Sequence, residues 1–175
     1  SCRFEACVGR ALIGQGVIHH SEGAVLSARE FYLEGLRAAS HNASVRSLAQ
    51  HGLCSLSLAA GDVGAALDHG LQALRDEPHA LDRRAEIVIT LAQAALRCGA
   101  PDVALDASRW LLRQHLHERT RLLAVGVAAV ASARLGRAAE VREHSATAHR
   151  EFASTSLPYP QAFMLAYRFT VPELH

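Results

Sequence analysis

The stretch "GDVGAALDHGLQAL", Gly61 to Leu74, has helical spacing but unusually small side chains at the positions a helix would bury. Where two helices cross closely, at about 8–10 Å or less, there is no room for leucine, and alanine or glycine lets the backbones meet. A face built this way therefore expects another helix pressed closely against it. Helix propensity alone explains why alanine is abundant, but not why small residues recur at a fixed interval.

The interval is visible once the turn glycine is taken as origin. The step from Gly23 to Gly61 equals the step from Gly61 to Gly99, and Gly136 follows one position short of the same step. Five residues beyond each lie Ala28, Ala66, Ala104 and Val141, and twelve beyond lie Gly35, Ala73, Leu111 and Ala148. Self-similarity of this length predicts helix-turn-helix units stacked as a solenoid, each burying its apolar face on the next.

Other signals agree with an all-α chain. Val45, Leu48, Ala49, Gly52, Leu53 and Leu56 recur at three- and four-residue steps from Asn42 onward, one helical face. Gly61 ends that helix and Asp62 is placed to cap the next, while Pro101, after Cys98-Gly99-Ala100, suits a first helical turn. Glu86-Ile87-Val88-Ile89-Thr90 reads as a strand in isolation. It runs into Leu91-Ala92-Gln93-Ala94-Ala95-Leu96 with no turn residue between, so helix is the expectation.

These residues resemble the tetratricopeptide repeat. The unit from Val45 to Pro78 carries Leu53-Cys54, Gly61-Asp62, Ala66, Ala73 and Pro78, close to the family pattern; Gly16, Gly23, Ala28, Tyr32 and Leu36 fit it in the first unit. The third keeps Leu91-Ala92, Gly99 and Ala104 but has Leu111 at a small-residue position, and the fourth has Val141 for the early alanine. "SAREFYLEGLRAA", Ser27 to Ala39, is similar to repeats of large bacterial signalling regulators. The period exceeds the family's usual length of about 34 by three or four, and Gln50 and Ser57 stand where Trp or Tyr is ordinary. The resemblance implies a right-handed α-α superhelix of about four units, at 4–40, 43–78, 80–116 and 118–153, within a repeat region 1–155. Residues 156–175 are read as a connection and then a helix, "QAFMLAYRF", that either caps the last unit or begins a further one.

Composition limits what such a module could do. Eighteen basic and seventeen acidic residues leave a formal charge of +1, far from the footprint of a domain that holds nucleic acid through phosphates. Four cysteines, Cys2, Cys7, Cys54 and Cys98, form no CxxC pair, which suits a reducing, cytoplasmic setting. No apolar run approaches the length of a membrane span and no signal-peptide pattern opens the chain, so no membrane partner is expected. With Ser1 first and Met164 the only methionine, the chain reads as a piece of a longer one. At 175 residues it can bury roughly 70% of its unfolded surface without staples.

Catalytic patterns are missing from the sequence. There is no HExxH, G-x-S-x-G or phosphate loop, and Gly14-Gln15-Gly16 falls within a helix where close packing is its expected purpose. His19-His20 point apart, and His115 and His117 would sit about 200° apart on a helix. His144 with Glu140 and Glu143 reads as a solvated helix cluster, and Trp110 as a filler between helices. The expectation is a non-enzymatic module without metal or cofactor. The resemblance implies that first helices line a concave groove, with Arg10 and His20, His51 and Ser55, Glu86, Gln93 and Arg97, and Arg134 from successive units, and Leu58, Ile89, Leu96 and Val130 as apolar floor. Such a lining suits an acidic or carboxylate-ended peptide of a partner protein or of another domain of the parent chain. Small-molecule or signalling-peptide sensing in a transcriptional regulator is the alternative, and an all-α enzyme with a His/Glu site the remaining one.

Overall fold

A computed structural model describes residues 2–77 and 79–154. They form eight helices and no strand: α1 (Cys2–Ser21), α2 (Val25–Ala38), α3 (Ala43–Ala59), α4 (Val63–Asp76), α5 (Leu81–Arg97), α6 (Pro101–Leu112), α7 (Glu118–Arg134) and α8 (Ala138–Ala153). The β-branched run Glu86–Thr90 lies inside α5, and Gly14-Gln15-Gly16 inside α1. The expected helix in 161–169 lies outside the described residues.

The helices are joined in pairs by one turn used four times. At Gly61 the chain takes φ +81°, where an L side chain is crowded by the following carbonyl. Its N–H donates to the Leu58 carbonyl, and the Asp62 N–H reaches back to the Ser57 carbonyl at 2.9 Å. This is the Schellman closure, which satisfies carbonyls the helix end would otherwise leave bare. Gly23, Gly99 and Gly136 have φ +78°, +76° and +69°, and the N–H groups of Ala24, Ala100 and Arg137 reach back in the same way to the carbonyls of His19, Ala95 and Ser132. Asp62 then accepts from the Ala65 N–H at 3.0 Å, opening α4, and Pro101 opens α6.

The positions counted from these glycines carry the packing. Five, nine and twelve residues on, Ala28, Tyr32 and Gly35 are buried in α2, Ala66, Gly70 and Ala73 in α4, and Ala104, Ser108 and Leu111 in α6. Small residues dominate because the neighbours stand so close. A Cβ on Gly35 would lie 2.7 Å from Cγ1 of Ile13, and one on Gly9 2.7 Å from Cβ of Ala39. Gly9 meets Gly35 and Gly16 meets Ala28, the order of an antiparallel pair.

The chain divides into two compact units, Ser1–Ala94 and Ala95–His175, the boundary falling within α5. In the first, α1 pairs with α2 and α3 with α4, and α3 also packs on α1 and α2. Its core joins Ile13, Ala28, Tyr32, Val45, Ala49, Leu53 and Leu56, with a second cluster of Cys54, Leu58, Ala66 and Ala94. In the second unit α7 packs on both α6 and α8, and Leu122 and Ala124–Ala131 are buried along α7.

Ala66 is fully buried beside Cys54, Leu58 and Ala94. Ala66→Leu is therefore expected to cost about 1–3 kcal/mol by overpacking. A urea unfolding curve superimposable on wild type would contradict the close approach.

Candidate functional site

A second recurrence appears fifteen residues before the turn glycines, where Arg46, Arg84 and Arg121 stand. Each guanidinium bonds carbonyls at the end of the preceding second helix or just beyond it. Arg46 Nη1 donates to Ser40 at 2.6 Å, Arg84 Nη1 to Glu77 at 2.8 Å and Leu74 at 3.3 Å, and Arg121 Nη1 to Leu112 at 3.5 Å. Cations at a helix C-terminus also meet the negative end of its dipole. Two of the three then clamp their own hairpin. Arg46 holds Asp76 through Nε at 3.2 Å and Nη2 at 2.5 Å, while Arg121 Nε holds Glu151 at 2.6 Å. Sequence reasoning missed these arginines as structural parts, although their spacing from the glycines was a signal that could have found them.

The expected groove residues in the first unit have mixed placements. Arg10 and Glu86 are exposed, and His20, His51, Ser55 and Gln93 are half-buried. His51 and Glu86 are linked through Thr90: its hydroxyl donates to the Glu86 carbonyl at 3.1 Å, and Nε2 of His51 lies 3.0 Å from the same oxygen. Since the single hydroxyl proton is committed to the carbonyl, Nε2 carries hydrogen and donates. Burial pushes the His51 imidazole down to about 4, so at neutral pH it brings a hydrogen bond and no charge. Its neighbour Gln50 faces α4, accepting from Nδ1 of His69 at 2.7 Å and donating to Gln72 Oε1 at 2.9 Å. The position expected to lack its usual aromatic thus holds a polar bridge between α3 and α4.

In the second unit Arg97 and Arg134 are both exposed, and Arg134 Nη1 donates to the Leu96 carbonyl. Arg134 is accordingly a tie between α7 and the end of α5 as well as a surface cation. The expected apolar floor is core, since Leu58, Ile89, Leu96 and Val130 are all buried. Trp110 is 36% exposed on α6, so it is not a packed filler. His115 and His117 lie in the connection between α6 and α7, not on a helix, because α6 ends at Leu112.

The cluster around His144 is organised by arginines. Arg109 Nη2 donates to Glu140 Oε2 at 2.9 Å, and Arg137 Nη1 to Oε1 at 3.2 Å. Burial acts to raise the Glu140 carboxyl, but the two guanidinium groups outweigh it and hold it below its ordinary value. Burial lowers the His144 imidazole, opposed by Glu143 and Glu140. Among the described residues no group of three or more His, Cys, Asp or Glu side chains is arranged to hold a metal ion.

Two further features bear on ligands and partners. A cavity of about 360 Å³ opens at the α7–α8 turn between Ala133, Gly136, Arg137, Ala138, Val141 and Arg142. Among the described residues no helix is long and apolar enough to cross a membrane. No protein-family model and no curated protein matches the chain.

Proposed function

We propose that this chain is a helical-repeat module of the tetratricopeptide kind, a right-handed superhelix of about four hairpins that holds a segment of a partner protein against its first helices. The observation that supports this reading is the joint recurrence of the glycine-closed turn and of the arginine fifteen residues before it. A repeated register presents the same face of each first helix at regular intervals, the arrangement that suits an extended peptide. The module acts as a scaffold or sensor in a cytoplasmic regulator of the bacterial multidomain kind and carries out no chemistry of its own.

Charge at the proposed lining comes from Arg10, Arg97 and Arg134, opposed by Glu86, because His51 is neutral at physiological pH. An acidic or carboxylate-ended segment fits that balance. The test is fluorescence anisotropy with labelled peptides that end in two acidic residues and a free carboxylate. Arg10→Glu with Arg97→Glu is expected to weaken binding by about tenfold or more, and added salt to weaken wild-type binding further. Equal affinity of both proteins, or preference for neutral peptides, would overturn the proposed chemistry of the ligand.

A further inference from the structure

The two glycines of Gly14-Gln15-Gly16 have different surroundings. A Cβ on Gly16 would lie 2.8 Å from the Tyr32 ring, whereas one on Gly14 would meet nothing within 4 Å among the described residues. Glycine inside a helix weakens it, and at Gly14 no contact within the chain accounts for that cost. Gly14 borders a face of α1 that the register marks for packing. Twelve, eight and five residues before the turn glycine, α3 carries Ala49, Leu53 and Leu56, buried with Ala28 and Tyr32 of α2, and α7 carries Ala124, Ala128 and Ala131, all buried. Their counterparts in α1, Ala11, Gln15 and Ile18, are exposed, and the face continues through Val8 to Phe4, 36% and 73% exposed.

The same register shows what kind of helix fits. Fifteen residues before the glycine, α3, α5 and α7 place the arginine that bonds carbonyls at or just beyond the end of the preceding second helix, and α1 has Val8 there. A helix that stopped on this face would leave its last carbonyls unanswered, so the face suits one that runs straight past. Ala11 and Gly14 are small and central, letting two backbones cross at about 8–10 Å, while the larger Phe4, Val8 and Ile18 stand to either side, where crossing helices splay apart. Charge fixes the direction. Arg3 at one end has no partner among the described residues, and Glu22 at the other approaches His19 at 3.6 Å. A second α1 laid parallel would set Arg3 on Arg3 and Glu22 on Glu22. Laid antiparallel, it brings each Arg3 to a Glu22 and opposes the helix dipoles favourably.

We propose that α1 packs antiparallel on α1 of a second copy, with Ala11 against Gly14 of that copy, Ile18 between its Phe4 and Val8, and Arg3 beside its Glu22. Arg3 and Glu22 are equally far in sequence from the midpoint between Ala11 and Gly14, so one two-fold axis makes every contact twice, as an isologous interface requires. A helix of this length offers a face about 30 Å long. Two such faces bury roughly 1,000 Å² in total, near the lower limit of specific interfaces, so the pair is weak and half-associated at about 10–100 μM. The inference does not depend on the peptide ligand proposed above.

Sedimentation equilibrium of the 175-residue chain tests the pairing, with the mean mass expected to rise from 18.8 kDa toward twice that value as concentration increases. Gly14→Leu is expected to weaken association by more than about tenfold, since leucine cannot enter the crossing point. Its urea midpoint at about 1 μM, where the chain is monomeric, should be no lower than wild type, because leucine is the better helix former and meets open space there. Arg3→Glu or Glu22→Arg alone should weaken association by about three- to tenfold, and the two in one chain should restore it, since the reversed charges meet again across the axis. A mass that stays at 18.8 kDa at every concentration would overturn the proposal and leave the face to a different molecule. Association untouched by Gly14→Leu would overturn it as well, and a double charge variant weaker than either single one would overturn the antiparallel order. All these variants keep Arg10, Arg97 and Arg134, so failure here is separate from failure of peptide binding.

Discussion

Tyr32→Ala is expected to cost about 3–5 kcal/mol of stability, the range for removing a buried aromatic ring. Tyr32 is 2% exposed and sits in the core formed by α1, α2 and α3. Its ring is gripped between two glycines: a Cβ on Gly16 would lie 2.8 Å from Cδ1 and Cε1, and one on Gly52 2.6 Å from Cε1 and Cζ. Burial also raises its phenol above the ordinary value, keeping it neutral. The same geometry forecasts a change of sign. Gly52→Ala alone forces a methyl into the ring and should destabilise by about 1–3 kcal/mol, despite alanine's better helix propensity. In the Tyr32→Ala background that methyl enters a void, so Gly52→Ala should be neutral or stabilising. Urea midpoints of the four proteins close the cycle, and additive effects would contradict the sandwich.

Acidification is expected to remove roughly 2–3 kcal/mol between pH 7 and pH 4.5 through His51 alone. The imidazole titrates near 6.5 when unfolded and at about 4 when folded. Between those values the unfolded chain binds the extra proton, so the stability is fully present above 6.5 and is lost as the pH falls toward 4. Protonation would place a charge beneath α5 beside the Thr90 hydroxyl. His51→Gln, whose amide can still donate to Thr90, should flatten this part of the profile while His69 and His144, both also lowered by burial, leave a smaller residual slope. An unaltered profile in the variant would show that His51 does not carry the dependence.

The turns were legible in the sequence because their cause is local. Only glycine takes a positive φ without steric cost, so Gly23, Gly61, Gly99 and Gly136 declare themselves by identity and spacing. Small residues at the same register were legible for a similar reason, since close approach of two backbones leaves few alternatives. The polar ties were much less so. Arg134 has the sequence signature of groove lining, but its partner is a backbone carbonyl, which has no signature in sequence. His51 has that of an open recognition residue, because nothing local reveals that Thr90, 39 positions away, will meet its ring. The arginines at 46, 84 and 121 occupy the middle ground: their spacing is regular, yet arginine is equally at home on a solvated surface, and only the carbonyls they reach disclose their part.

The glycine turns close entirely on carbonyls three and five residues back, and Arg46 bonds a carbonyl six residues upstream and a carboxylate of its own hairpin. Each hairpin's fastening is therefore complete as soon as its own residues have left the ribosome, with no distant segment to await. Low separation between bonded partners shortens the search for native pairings. Such a chain can assemble vectorially during synthesis, each pair fastened before the next has emerged.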